Sequence, residues 1–366
     1  MSTLPSGGGR APRWLRWLKT GHVFWRIARP DAPSPLRGLA QAVTIENREV
    51  AAAGARLRVV VYRPRRPYAT VVVNGGFVEE STDDSRLKNF ATALAEAGFL
   101  VLTPDYPAVR SLTFTPETID QVRDVIAAAG RDPELGAGRP LAVIGLSYMA
   151  TLSLKAALRP DLAAPPAYLG VFGGYEDFAL LMRDVFRETY RFDETDVPVD
   201  PYGRFLVLRS VVDYFDPPAA EGDLIRALVL RCGRREAPEV IETLAGRLSP
   251  QGRAAFERLR AFHPDRSPEL WRTILRDGRE RCEALSVRES ADRLRSRLIL
   301  LHSCYDHVLP YTHSVRLHHR FPASELVLTT MFTHVNLRFN PRALLSQARE
   351  FGKVSRVFAS LMALQE

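Results

Sequence analysis

Cysteine is scarce in this sequence: three residues, Cys232, Cys282 and Cys304, in a chain of 366. They are too few and too scattered for a disulfide framework or a zinc site, and this use of cysteine points to a reducing, cytoplasmic compartment. Long apolar runs are missing too. No stretch approaches the roughly 18–20 residues that span a bilayer. The N-terminus is basic but lacks an apolar segment followed by small residues, so no secretory signal is expected. Lysine is nearly absent, with 4 residues against 46 arginines. A GC-rich genome produces such a bias, so basic content alone is weak evidence for nucleic acid.

What is present is a globular composition, 46% hydrophobic and 25% charged, with ample material for a core. The formal charge of +8 is unevenly spread. Residues 1–66 hold 13 basic and 3 acidic side chains, net +10, and the other 300 residues hold 37 and 39, net −2. The excess therefore belongs to the first 66 residues, of which residues 1–40 read as a basic N-terminal extension, and the rest of the body is nearly neutral. Residues 1–12 read as a flexible tail. Residues 13–29 interleave Trp14, Trp17 and Trp25 with Arg13, Arg16, Lys19, Arg26 and Arg29. As a helix, Trp14, Trp17, Leu18 and Trp25 gather toward one side, the pattern of a basic helix lying at a membrane surface. A helix packed on the body fits equally well, and Gly21 interrupts the pattern.

Short strand signals follow at Ala42–Ile45 and Leu57–Tyr62. Buried-strand runs then alternate with helical segments: Thr70–Val73, Phe99–Thr103, Leu141–Ile144, Tyr168–Phe172, Leu298–His302 and Leu326–Thr329. These runs are short, Val/Leu/Ile-rich and not alternating, as parallel strands covered on both faces require. The intervening helices are expected at Asp84–Ala97, Pro116–Ala129, Tyr148–Leu158, Tyr311–His319 and Pro341–Leu364. The fold class is therefore α/β, a mostly parallel sheet flanked by helices. Between Phe172 and Leu298 no strand is evident. Helical runs at Glu176–Arg191, Arg204–Tyr214, Glu221–Arg231 and Pro250–Phe262 read as an inserted helical cap. The division is thus extension 1–40, core 41–175, cap 176–297 and core 298–366.

Four features carry chemistry, each following a different strand. Ala142-Val-Ile-Gly-Leu-Ser147-Tyr-Met-Ala runs from a buried strand through Gly-x-Ser into a helix, which would present Ser147 on a sharp turn at the sheet's carboxyl edge. Val71-Val-Val-Asn-Gly-Gly-Phe77 ends a strand in paired glycines. A backbone N–H of Gly75, Gly76 or Phe77, with that of Tyr148, would form a two-donor oxyanion hole. Asp306 sits four residues past a strand, where it can accept from a histidine ring nitrogen, although a plain helix cap is the simpler role. His334 follows the last strand in a loop, where it can swing toward the serine as general base. His307, beside Asp306, is the nearest competitor, but its position points it away from a shared bond. His318 and His319 read as mid-helix surface residues. No histidine pair has convincing metal-ligand spacing.

The order Ser…Asp…His after successive strands resembles the α/β-hydrolase superfamily of serine esterases, lipases and peptidases. The likeness rests on VVVNGGF, LAEAGFLVLTPDYP, LAVIGLSYMA, LILLHSCYDHVLP and the loop around His334, and covers residues 55–175 and 295–360. It implies the α/β-hydrolase fold, with Ser147 as nucleophile, His334 as base and Asp306 as its orienting acid, and needs neither cofactor nor metal. Three positions depart from the family pattern. Met149 stands where glycine is usual, Asn74 where histidine is usual, and Cys304 and Tyr305 where glycine is frequent. The expected substrate is a small-molecule acyl ester of unspecified acyl length, since Phe178, Leu180, Leu181, Phe186, Phe205, Leu206, Leu208 and Phe215 make the cap apolar. About 22 arginines against 23 acids leave the cap without a gross field. An acyltransferase, thioesterase or peptidase on the same residues, or a non-catalytic binding protein of this fold, is the competing reading. No nucleic-acid partner is expected, and the oligomeric state stays open.

Overall fold

A computed structural model describes residues 13–162, 164–334 and 344–365. The expected tail at 1–12 and the first residues of the expected helix at 341–343 lie outside them. Among the described residues ten strands are formed: β1 (Val43–Ala52), β2 (Ala55–Pro64), β3 (Ala69–Asn74), β4 (Phe99–Pro104), β5 (Leu141–Leu146), β6 (Tyr168–Phe172), β7 (Thr189–Phe192), β8 (Thr195–Pro198), β9 (Arg297–Ser303) and β10 (Glu325–Thr329). Eight of them make one sheet in the order β1-β2-β4-β3-β5-β6-β9-β10. From β4 to β10 every neighbouring pair is parallel. β1 and β2 form an antiparallel hairpin at one edge. It turns at Ala53 and Gly54, both at positive φ, as a tight hairpin demands.

Residues of the central strands alternate between two apolar clusters, because successive side chains point to opposite faces. Val72, Leu100, Leu102, Val143 and Leu169 pack with the helices Glu117–Arg131 and Tyr148–Ala157 and with the cap. Val71, Val73, Phe99, Val101 and Ile144 pack on the other face. That face is covered by the helices Arg13–Ala28, Ser85–Glu96 and Leu344–Met362. All six residues of β3 and of β4 are buried, which explains their unbroken apolar runs.

The N-terminal helix is continuous through Gly21, whose missing side chain lets Leu36 approach. It is docked on the body. Its packed face centres on His22, Val23 and Phe24, not on the tryptophans. His22 is buried between Ser34 Oγ at 3.0 Å and Glu96 Oε2 at 2.9 Å, and Arg26 Nε reaches the same Glu96 oxygen at 3.0 Å. Trp14 and Trp17 remain 58% and 47% exposed.

The segment between β6 and β9 is largely helical, with one correction to the expected all-helical cap. The run expected as helix from Glu176 to Arg191 stops at Asp184, and β7 and β8 then form a small antiparallel hairpin. The local sequence explains it: Thr189, Tyr190 and Phe192 favour strand, and Asp193 takes the positive φ of the turn. The cap has its own aromatic centre, in which Phe262 meets Phe186, Phe215 and Trp271 at centroid distances of 5.7, 5.6 and 6.3 Å.

Candidate active site

Ser147 sits between β5 and the helix Tyr148–Ala157 with φ 56° and ψ −129°, a strained conformation for a residue with a Cβ. Ser147 N–H donates to the Phe172 carbonyl at 2.7 Å, fastening the turn to the end of β6. The tightness depends on Gly145. A Cβ there would stand 2.5 Å from Ala150 Cα and 2.7 Å from the Met149 carbonyl oxygen, a backbone clash that nothing soft can relieve. The close approach thus falls on Ala150, and Met149 points into the core, fully buried. A glycine at position 149 is unnecessary in this elbow.

Asn74 ends β3 and is also fully buried. Its Nδ2 donates to Ser153 Oγ at 2.8 Å, and its Oδ1 accepts from the Tyr106 hydroxyl at 2.8 Å. Ser153 in turn donates to the Met149 carbonyl at 2.7 Å. Asn74 therefore ties the glycine loop to the helix that carries Ser147. Beyond it, a Cβ on Gly76 would lie 3.9 Å from Ser147 Cβ, so the loop backbone passes beside the serine. The Phe77 ring packs on Tyr148 at 4.8 Å and on Phe114 at 4.7 Å. Tyr148 opens its helix, so its N–H has no acceptor within that helix.

Asp306 is 2% exposed in the turn after β9. Its Oδ1 accepts the backbone N–H groups of Val308 and Leu309, both at 2.9 Å. Its Oδ2 lies 2.8 Å from Nδ1 of His334. Burial alone would raise this carboxyl. The neighbouring charge of His334, with hydrogen bonds from His302 and His334, more than offsets it and holds the group well below the usual carboxylate range. For His334 burial works downward, and Asp306, by charge and hydrogen bond, raises the imidazole above its ordinary value. Gly173, at φ 68°, lies between the two halves of the site. A Cβ there would meet Asp306 Oδ2 at 3.8 Å and Ser147 Cα at 3.9 Å.

Three supports of this arrangement gave no sign in the sequence. Tyr190, from the β7–β8 hairpin, donates its hydroxyl to the carbonyls of Cys304 at 3.0 Å and Asp306 at 2.7 Å. His302 holds Ser314 Oγ at 2.7 Å and the Leu309 carbonyl at 3.0 Å, with Nε2 3.4 Å from Asp306 Oδ2. Ser303 Oγ donates to the Phe332 carbonyl, joining the aspartate turn to the histidine loop. The hairpin touches both unusual residues near the acid, Cys304 through its backbone and Tyr305 through its ring. The Cys304 carbonyl takes the Tyr190 hydroxyl, and the Tyr305 ring meets Phe192 at 5.6 Å. Burial pushes the Cys304 thiol up to about 12, so it stays protonated.

Ser147, Asp306 and His334 all line one cavity of about 560 Å³, with Gly76, Phe77 and Tyr148. His307 lines it too, while its carbonyl accepts from Asp200 N–H. Of the apolar cap residues picked out in the sequence, Phe178, Leu181 and Leu206 reach the cavity, joined by Met182, Val185, Tyr202 and Val207. Phe186, Leu208 and Phe215 are buried in the cap's own packing. A strand-to-helix serine elbow, an aspartate after the next strand but one to β5 in the sheet, and a histidine after the last strand occupy one carboxyl edge. This strand order with a serine elbow after β5 is the α/β-hydrolase fold.

No protein-family model matches the sequence, and no curated protein matches it. Solved structures similar to this chain include the meta-cleavage product hydrolase of Pseudomonas fluorescens IP01, with 15% identity, TM-score 0.42, and coverage of 86% of this chain and 97% of that one. An acylaminoacyl peptidase in complex with a peptide chloromethyl ketone is similar at 13% identity and TM-score 0.48, and 87% of this chain spans 41% of its length. A hyperthermophilic esterase from the archaeon Pyrobaculum calidifontis is similar at 16% identity and TM-score 0.46, covering 98% of this chain and 94% of that one. Among the described residues, no helix is long and apolar enough to cross a membrane.

Proposed function

We propose that the protein is a serine hydrolase that cleaves carboxylic esters through an acyl-enzyme. The observation that carries this reading is the Asp306–His334 pair on the same apolar cavity as a serine held at positive φ. Ser147 Oγ attacks the ester carbonyl carbon and its proton passes to Nε2 of His334, while Asp306 keeps Nδ1–H in place and compensates the imidazolium. The oxyanion accepts N–H groups from Tyr148 and from the Gly76–Phe77 loop. The C–O bond breaks and the alcohol leaves with the proton from His334. Water, giving its proton to His334, then attacks the acyl carbon, and Ser147 recovers its hydrogen. The steps require neither metal nor organic cofactor.

An ester substrate is favoured by the lining: aromatic and aliphatic side chains dominate the cavity, as suits an acyl group. The two departures that motivated a non-catalytic reading, Asn74 and Met149, are accommodated by the contacts at the elbow. The reading extends to a peripheral membrane contact through residues 13–29, where Trp14 and Trp17 stay exposed beside arginines.

The test is a p-nitrophenyl ester series with a fluorophosphonate probe. Wild type is expected to turn over esters and to label at Ser147. Ser147→Ala is expected to lose turnover by about 10⁵–10⁶-fold with its melting temperature nearly unchanged. Turnover that survives this substitution would sink the assignment. Folded wild type that neither labels nor hydrolyses would point to a binding protein.

A further inference from the structure

The cavity draws its lining from both apolar clusters, although these lie on opposite faces of the sheet. One arm runs under the cap, between Phe114, Phe178, Leu181 and Leu206. The other passes the ends of the strands at Leu146, Phe172 and Leu301 and descends on the far face. It is walled there by Phe24 and Ile27 of the N-terminal helix, Phe90, and Phe358 of the C-terminal helix. Ser147, Gly173 and His334 line the same cavity. The far arm is built as an aromatic sleeve: Phe358 meets Phe24 at 5.1 Å, Phe90 at 6.1 Å and Phe172 at 6.1 Å. A cavity serving a compact ester needs no second arm, and an apolar wall without an occupant gives up packing energy.

We propose that the far arm seats a linear hydrocarbon chain of the substrate, so that the ester lies astride the sheet edge with one apolar half under the cap. The N-terminal helix is then a specificity element, and Phe24 and Ile27 set the chain length. This deepens the ester-hydrolase reading and rests on it for the chemistry, but the arm itself can be probed without turnover. Each methylene received is worth about a fourfold gain in binding, from the free energy of burying one such group. A long chain therefore outcompetes a short one by orders of magnitude only while the arm is open.

The experiment measures decanoate binding by calorimetry, and the ratio of kcat/KM for decanoyl over acetyl p-nitrophenyl esters and for decyl over ethyl butyrate. Both are read in wild type, Ile27→Trp, Ile27→Ala and Leu206→Trp, with melting temperatures as the folding control. Filling the arm by Ile27→Trp is expected to weaken decanoate tenfold or more and to lower one of the two ratios by a similar factor. Ile27→Ala, which leaves room, is expected to keep the long-chain preference or extend it. Decanoate affinity and both ratios unmoved by Ile27→Trp in folded protein would overturn the proposal, as would an effect confined to Leu206→Trp. Decanoate binding that responds to Ile27→Trp, in a protein whose Ser147 neither labels nor turns over, would defeat the ester-hydrolase reading and leave the chain site standing.

Discussion

A serine hydroxyl in water is a weak nucleophile, and what separates Ser147 from the other serines is where its backbone puts it. The positive φ aims it from the sheet edge, and Gly145 makes that turn affordable only by having no side chain. The base opposite is tuned by charge. In the proposed mechanism His334 acts when neutral, and Asp306 raises its pKa above the ordinary imidazole value. The rate should therefore fall as pH drops through a value above about 6.5, the unperturbed imidazole figure. Asp306→Asn removes the charge that raises it. Its acid limb is expected to move to lower pH while kcat falls by about 10⁴-fold, as for the same change in a serine protease triad. A pH profile of kcat/KM for both proteins checks this, and an acid limb that stays in place would mean that His334 is not the titrating group. The three residues proposed to react could be picked out in the sequence because each follows its own strand. The accommodation of Met149 was only partly so. That Ala150 takes the close contact depends on the angle between strand and helix, which residue spacing does not encode.

At the scale of elements, the β7–β8 hairpin reaches across and fixes the aspartate turn. Tyr190→Phe removes one hydroxyl and with it two hydrogen bonds to backbone carbonyls. The expected loss is about 1–3 kcal/mol, because buried carbonyl oxygens are left unpaired. That corresponds to a melting temperature lowered by several degrees, with kcat reduced as Asp306 loses its restraint. Calorimetry and steady-state kinetics on the one variant test both parts, and unchanged values in both would make the contact idle. The hairpin escaped sequence reading for a physical reason. Strands of four residues bury little and leave almost no periodic signal, and Glu176–Arg191 has the spacing of a helix until Asp184. The parallel core was legible because strands covered on both faces must be apolar throughout.

Taken as a whole molecule, the chain carries part of its positive excess on a helix that docks by one face and leaves Trp14 and Trp17 exposed. Deleting that helix would remove Val23 and Phe24 and uncover the cluster they complete, so truncation confounds packing with surface binding. Trp14→Ala with Trp17→Ala avoids this, since both side chains are exposed. The double variant is expected to lose most of its binding to anionic liposomes at low salt. Wild-type binding should weaken as ionic strength rises, because surface charge is screened within a Debye length. Liposome binding equal in both proteins would leave the helix a docking element alone. Sequence pattern could not choose between the two roles, because the amphipathic face that docks and the tryptophans that stay outside occur on the same sixteen residues.

The wall shared by the first and last helices also orders events in time. Lys19 donates to Gln365 across 346 positions of chain, and Phe24 rests on Phe358. The helix Arg13–Ala28 is made long before the helix Leu344–Met362 and has no complete seat until that helix has been made. Contacts of such span carry a large loop-closure cost and form late. During synthesis and refolding the carboxyl edge of the sheet therefore takes shape before the wall shared by these two helices is complete.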